Sequence, residues 1–259
     1  MRVAIFCEYF YPFISGVVTH IDTLRQGLEA EGHEVLIVTL DPKAKRHYIK
    51  DRVLYCPAIP LKKIYGYGVA NPVNLKRLKI VKAFKPDIIH FHTEFSMGIF
   101  AMFAAQRLKL PSVYTLHTMY DDYIYYIAPK HLTDIARHIS HRYVRFIARR
   151  ADIITGPSIK CAEYLQKAGV NRKVHVIPNS VELECYEETS TALEQIIEIR
   201  NRYGIPADAF VACFCGRLGK EKGLDNLIDL WKNNRELTHD MYLMIIGNGP
   251  YREALEKQA

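Results

Sequence analysis

The sequence predicts an α/β protein built from doubly wound parallel sheets, one complete and the first part of a second. Three observations carry that prediction. Apolar runs of strand length alternate with stretches of helical period. Those runs are β-branched and apolar throughout, as in strands covered on both faces. The alternation breaks once, at residues 181–195, and then resumes. The 259 residues, 49% hydrophobic and 24% charged, suit an ordinary soluble globular chain of one large or two smaller domains.

The elements follow in order. VAIFCEY leads to a helix through THIDTLRQGLEAEG, stopped by Gly32, and then to EVLIVTL. A basic helical stretch, NLKRLKIVKAF, precedes the strand DIIHFH, the helix MGIFAMFAAQRL and the strand SVYTLH. A long helix near 130–150 leads to ADIITGPS, the helix SIKCAEYLQKAG and the strand KVHVIPN. VELECYEETSTALEQ is polar and acidic and reads as a linker entering a helix. The second series runs VACFC, GLDNLIDLWKNN, MYLMIIG and PYREALEKQA, too few strands for a complete doubly wound domain. The expected domains are therefore 1–185 and 186–259.

Charge divides at the same place. Residues 1–185 hold 26 Lys and Arg against 16 Asp and Glu, whereas 186–259 hold 9 against 12. The basic part either faces an anionic partner or is simply a basic surface. No RNP, zinc-finger or helix-turn-helix pattern accompanies the charge, so nucleic acid is not an expected partner. No apolar run approaches the roughly 20 residues that span a bilayer. The N-terminus has no long apolar core or small-residue cleavage site, so no secretory signal is read there. The six cysteines form no CxxC pair, and alternation puts Cys213 and Cys215 on one strand face, as buried thiols of a reducing cytoplasm.

In open α/β sheets ligands gather at the carboxyl ends of strands. Those ends carry Glu8, the loop YPFISGV with Gly16, His90 and His92 with Glu94, His117, Gly156-Pro157-Ser158, Arg217, and Gly247-Asn248-Gly249. The stretch GRLGKEKG at 216–223 is not a Walker loop, because Lys220 is followed by Glu221. It is either a solvated turn or an anion cradle, in which Arg217, Lys222 and the N–H groups of a helix starting near Gly223 hold a phosphate. His90 and His92 share a strand face, but no Cys or His cluster nearby in the sequence completes a four-coordinate metal site.

Taken together, SGV at Gly16, HTEFSMG, TLHTMYDDY, VIPNSVELECY, CGRLGKEKGLDNLI and IIGNGPYREAL resemble the retaining glycosyltransferases of family four, from Met1 to Ala259 and in the family's order. HTEFSMG with TLHTMYDDY is most similar to bacterial enzymes that glucosylate diacylglycerol. The resemblance implies a GT-B fold, two Rossmann-like domains facing each other across a cleft, with a nucleotide sugar held mainly by the second. It implies that Arg217 and Lys222 grip the donor diphosphate, and that Gly16 lets backbone approach diphosphate and sugar. His117 would lie beside the transferred sugar, and Gly247 and Gly249 would bring backbone up to the nucleotide. No essential metal or other cofactor is implied, so Asp121 and Asp122 are read as helix-start or acceptor-side acids.

Glu94, Tyr120 and Asp121 are candidates for the acceptor side. The stretch RHISHRYVRFIARR carries Arg137, Arg142, Arg145, Arg149 and Arg150 and no acid. For a lipid-modifying enzyme it reads as a dock for anionic headgroups, with Arg142, Arg145 and Arg149 foremost, or else as a solvent-facing helix. NLKRLKIVKAF is a second candidate. The expected setting is the cytoplasmic face of a membrane, held peripherally. Two departures stand out. Ser180 replaces the glycine usual after VIPN, and no glutamate pair has the E-x7-E spacing of the family. That motif is expected beyond Ala259, so the chain is expected to be either a fragment of a longer enzyme or a truncated gene product that binds donor poorly as it stands. The rival readings are a family relative acting on phosphatidylinositol, lipopolysaccharide core or a teichoic-acid precursor, and a non-catalytic binding module.

Overall fold

The first apolar run forms β1 (Arg2–Phe6), which lies near the middle of an eight-stranded sheet. The computed structural model describes residues 1–60, 68–122, 124, 129–181 and 190–259, in two units, Met1–Val181 and Glu182–Ala259. The expected boundary after residue 185 lies outside the described residues, as do Cys185 and most of the tyrosine-rich stretch after Asp122.

In the first unit β1 is followed by β2 (Glu34–Asp41), β3 (Tyr48–Lys50), β4 (Val53–Pro57), the short antiparallel pair β5 (Ile59–Pro60) and β6 (Gly68–Val69), β7 (Ile88–Phe91), β8 (Ser112–Thr115), β9 (Ile153–Gly156) and β10 (Val174–Val176). The main sheet runs β10-β9-β8-β7-β1-β2-β4-β3, parallel throughout except for β3 against β4. Its helices are α1 (Gly16–Ala30), α2 (Leu75–Phe84), α3 (Ser96–Leu108), α4 (Thr133–Ala148) and α5 (Ile159–Lys167).

Strand alternation explains why the runs are apolar throughout. Ala4 and Phe6 enter one core with Leu36, Val38, Ile89 and Phe91, which α3 and α4 cover through Phe100, Ala101, Val144 and Ile147. Val3 and Ile5 enter the other with Val35 and Ile37, covered by Val18 and Ile21 of α1. Both faces are dry, as a parallel sheet requires. Ser15 caps α1 by accepting from Val18 N at 3.2 Å, and Gly32, at φ 78, ends the turn that follows it. No described helix is long and apolar enough to cross a membrane.

The hairpin β3–β4 is not legible in the sequence. Asp51 and Arg52 both take left-handed backbone, at φ 50 and 58, as a tight hairpin turn demands, but without the Asn-Gly or Asp-Gly pair that signals one. Ser180 avoids the left-handed region, so its turn tolerates a side chain.

The second unit contains α6 (Ser190–Arg202), β11 (Phe210–Cys215), α7 (Leu224–Asn233), α8 (Arg235–Thr238), β12 (Met241–Ile246) and α9 (Arg252–Gln258). β11 and β12 are parallel, with Phe210 opposite Met241 and Cys215 opposite Ile246. Leu218, Leu224, Ile228 and Leu255 form its core, with Phe214 and Ile245 packed on it. The expectation that Cys213 and Cys215 are buried fails, because both are exposed. Phe214 points to the helices, so its neighbours take the other face, against which no layer packs among the described residues.

Candidate functional site

The strand order reverses between β1 and β7. From β1 the chain passes through α1 to β2 on one side, and from β7 through α3 to β8 on the other. Loops that part in this way leave a crevice at the carboxyl ends of the strands, where doubly wound proteins bind ligands. Gly16 opens α1 on this side, and a Cβ added there meets nothing within 4 Å. His20 sits one turn further along the same helix face.

Two strand ends meet His20. His92 follows β7, His117 follows β8, and His92 Nδ1 lies 2.9 Å from His117 Nε2. The His20 ring stands 5.0 Å from that of His117 and 5.5 Å from that of His92. The His90 ring, two residues before His92, lies 4.1 Å from it, tilted by 33°, and hydrogen-bonds Thr115 Oγ1 at 2.7 Å. Burial pulls His90 and His117 down to about 3, and takes His92 well below the ordinary imidazole value. His20 is lowered by the same cause. All four rings are therefore neutral at pH 7. The expectation that no histidine cluster surrounds His92 is corrected: His20, His92 and His117 each offer a nitrogen within 4.8 Å of the others. His20 comes from 72 positions away in sequence, so spacing alone could not assemble it.

In the second unit, Arg217 and Lys222 are both exposed on the loop between β11 and α7. Arg217 Nη2 pairs with Glu221 Oε1 at 2.7 Å, a partner the sequence reading missed although it lies four residues away. Lys220–Lys222 form a single 3-10 turn, and Gly223, at φ 62, leads into α7. No side chain caps the first N–H groups of α7, which leaves them available to an anion. The glycines of the other loop have a visible task. A Cβ at Gly247 would stand 1.8 Å from Gly216 O, and one at Gly249 would stand 2.2 Å from Leu218 O. Leu218 N donates to Asn248 O at 3.0 Å, and Tyr251 N to Leu218 O at 3.0 Å. The two loops thus support each other backbone to backbone. Gly249→Ala is expected to destabilise this unit by about 1–3 kcal/mol, read as a lower denaturant midpoint.

Residues 14–184 match the family description Glycosyltransferase Family 4, and residues 195–259 match Glycosyl transferases group 1. The chain belongs to glycosyltransferase family 4. It is 32% identical over 266 residues to an alpha-monoglucosyldiacylglycerol synthase of Acholeplasma laidlawii, covering 99% of this chain and 66% of that protein. It is 31% identical over 259 residues to a synthase of the same name from Streptococcus pneumoniae, covering 100% of this chain and 58% of the relative. The chain thus spans about three-fifths to two-thirds of the length of these relatives. Among solved structures, the catalytic domain of starch synthase IV from Arabidopsis thaliana, bound to ADP and acarbose, superposes with a TM-score of 0.65 at 15% identity, covering 99% of this chain and 70% of that one. The fold is of the GT-B type.

Within this family-four chain, some candidates lie away from the crevice. Glu94, expected on the acceptor side, is 4% exposed and accepts from Tyr114 Oη and Tyr120 Oη at 2.5 Å each. Tyr143 Oη of α4 donates to the Glu94 carbonyl. Burial raises the Glu94 carboxyl, so Glu94 and Tyr120 tie β7, β8 and α4 together rather than face an acceptor. Glu8 is likewise interior: it caps α3, accepting from Met97 N at 2.8 Å and Ser96 Oγ at 3.0 Å. Asp121 lies in the short 3-10 turn Tyr120–Asp122 and accepts from His141 Nε2 at 2.9 Å, which anchors the loop after β8 on α4. The Asp122 side chain lies outside the described residues.

On α4 the arginines part company. Arg145 is half-buried and packs on Gly169, where a Cβ would meet its Nη1 at 2.8 Å. Arg142 and Arg149 are exposed. They continue a stripe of exposed apolar residues at helical spacing: Leu132, Ile135, Ile139 and Phe146.

Proposed function

We propose that the protein is a retaining glycosyltransferase that moves glucose from UDP-glucose to diacylglycerol at a membrane surface. The observation that carries this reading is the similarity, along the whole chain, to two relatives named as synthases of alpha-monoglucosyldiacylglycerol. The local geometry supports it. Cleaving the anomeric C–O bond puts negative charge on a departing diphosphate. Arg217, Lys222 and the uncapped N–H groups of α7 are groups that stabilise such charge as it develops. His117, neutral and partly exposed beside His20 of α1, suits hydrogen bonding to a sugar hydroxyl. In this reading the diphosphate charge is met by protein cations, and turnover needs no essential metal.

The stripe on α4 supports a peripheral membrane contact. Its apolar half, Leu132 to Ile139, would enter the interface while Arg142 and Arg149 meet anionic headgroups. At about 1 kcal/mol per basic residue, replacing both arginines by alanine is expected to weaken partitioning to anionic vesicles by roughly 30-fold. Co-sedimentation that ignores lipid charge and salt would argue against this contact.

Radiolabelled UDP-glucose with vesicles tests the reaction. Label should enter the lipid phase when diacylglycerol is present. If it enters only with phosphatidylinositol, the acceptor assignment fails. If it stays in water with every acceptor, the transferase reading fails too.

A further inference from the structure

His92 makes no direct claim on a ligand, because it is 4% exposed, yet it holds a ring that does face the crevice. Its Nδ1 lies 2.9 Å from His117 Nε2, so one of these nitrogens donates a proton to the other. The second nitrogen of His92, Nε2, is buried without a partner among the described residues. A buried N–H without an acceptor is among the rarest defects in folded proteins, whereas an under-used lone pair is tolerated better. The single proton of the neutral His92 ring therefore belongs on Nδ1 and is donated to His117 Nε2. That leaves His117 with its own proton on Nδ1. In a neutral histidine, the bond made by one nitrogen decides what the other can offer.

We propose that His92 is a positioning residue that locks His117 in the Nδ1–H tautomer, so that the partly exposed side of the ring presents a hydrogen-bond donor to the sugar. The surroundings fit such a clamp. His90 packs against His92 with ring centroids 4.1 Å apart and is itself fixed by Thr115, whose Oγ1 lies 2.6 Å from Thr155 Oγ1. His20 packs edge-on against His117 at 5.0 Å. The alternative occupant of this cluster is a transition metal, to which each of the three rings would give one nitrogen. Two ligands at 2.0–2.1 Å from a tetrahedral ion stand roughly 3.3–3.4 Å apart. The His92–His117 pair is closer than that and has the length of a direct hydrogen bond. The geometry favours the hydrogen bond.

The part played by the sugar rests on the function proposed above; the tautomer does not. ¹⁵N NMR of the imidazoles reads the tautomer in the protein without substrate. The expected result is an Nδ1-protonated His117 in the wild type, retained in His92→Asn, whose amide nitrogen can replace the lost donor. In His92→Leu the proton should redistribute toward Nε2. In turnover assays His92→Leu should lower kcat at least about tenfold with KM nearly unchanged, and His92→Asn should recover most of that loss. An Nε2-protonated His117 in the wild type would overturn the proposal. So would identical behaviour of the Asn and Leu variants, or stoichiometric Zn²⁺ binding that is lost with any one of the three histidines. If the tautomer behaves as expected but His117→Ala leaves transfer unchanged, His92 still sets the tautomer while the sugar contact, and not the clamp, is wrong.

Discussion

Arg217→Ala is expected to lower kcat/KM for sugar transfer by about 10²–10³-fold, the effect of removing one pre-oriented donor from a developing anion. Arg217 has two separable parts to play. It pairs with Glu221 at 2.7 Å, a half-exposed ion pair of the kind worth little to stability. It also projects from the strand-end loop that leads into α7, where departing diphosphate charge would be met. Glu221→Gln removes the charged pair but keeps the guanidinium, so it should cost less than about tenfold. If Glu221→Gln is as damaging as Arg217→Ala, the arginine matters through loop structure and the diphosphate grip is refuted. Equal kcat/KM for wild type and Arg217→Ala would refute it as well.

The second large effect is on acid stability. His90 and His117 are held at about 3 by burial, against an ordinary 6.5, so the folded chain binds fewer protons than the unfolded chain below pH 6.5. Their contribution is fully present above pH 6.5 and is lost as pH falls toward 3. By pH 4 each imidazole should withdraw about 3 kcal/mol. Glu8 works in the opposite sense. Burial raises it to about 7 from 4.5, so its contribution is present below pH 4.5 and lost as pH rises through 7. Between pH 7 and 4.5 the two oppose each other, and below 4.5 the histidines act alone. Urea midpoints measured from pH 8 to pH 4 should therefore fall most steeply below pH 4.5. Glu8→Gln should steepen the fall between 7 and 4.5, and His90→Phe should flatten it throughout. A midpoint constant from pH 7 to pH 4 would contradict the assignment of buried neutral rings.

The parts of this fold that were legible in the sequence are those where local pattern and tertiary burial agree. Strands β1, β2, β7 and β8 are apolar on both sides because both faces are covered, and a run of β-branched residues reports that directly. Gly32 stops its helix for a backbone reason visible in one residue. The hairpin at Asp51-Arg52 was hidden because two charged residues occupy positions that usually announce themselves with glycine. Cys213 and Cys215 misled because a strand pattern says which residues share a face, not whether anything covers it.

The candidate residues, taken unit by unit, were legible in the same uneven way. His117, Gly16, Arg217 and Lys222 stood out as unusual residues at strand ends. His20 did not, since a lone histidine on an amphipathic helix carries no signal until topology places it beside His117. Glu94 looked like a site residue because it follows a strand's carboxyl end beside His92, but two tyrosine hydroxyls seal it inside. Gly247 and Gly249 were marked as places where backbone comes up to a nucleotide. What approaches them in the structure is the backbone of the neighbouring loop.

The central claim is that glucose passes from a nucleotide to diacylglycerol with its anomeric configuration kept. The direct test is NMR of the glycolipid made from UDP-[¹³C]glucose in diacylglycerol vesicles. The account predicts a single α-linked glucosyl diacylglycerol. A β-linked product, or no glycolipid while the donor is consumed, would contradict it.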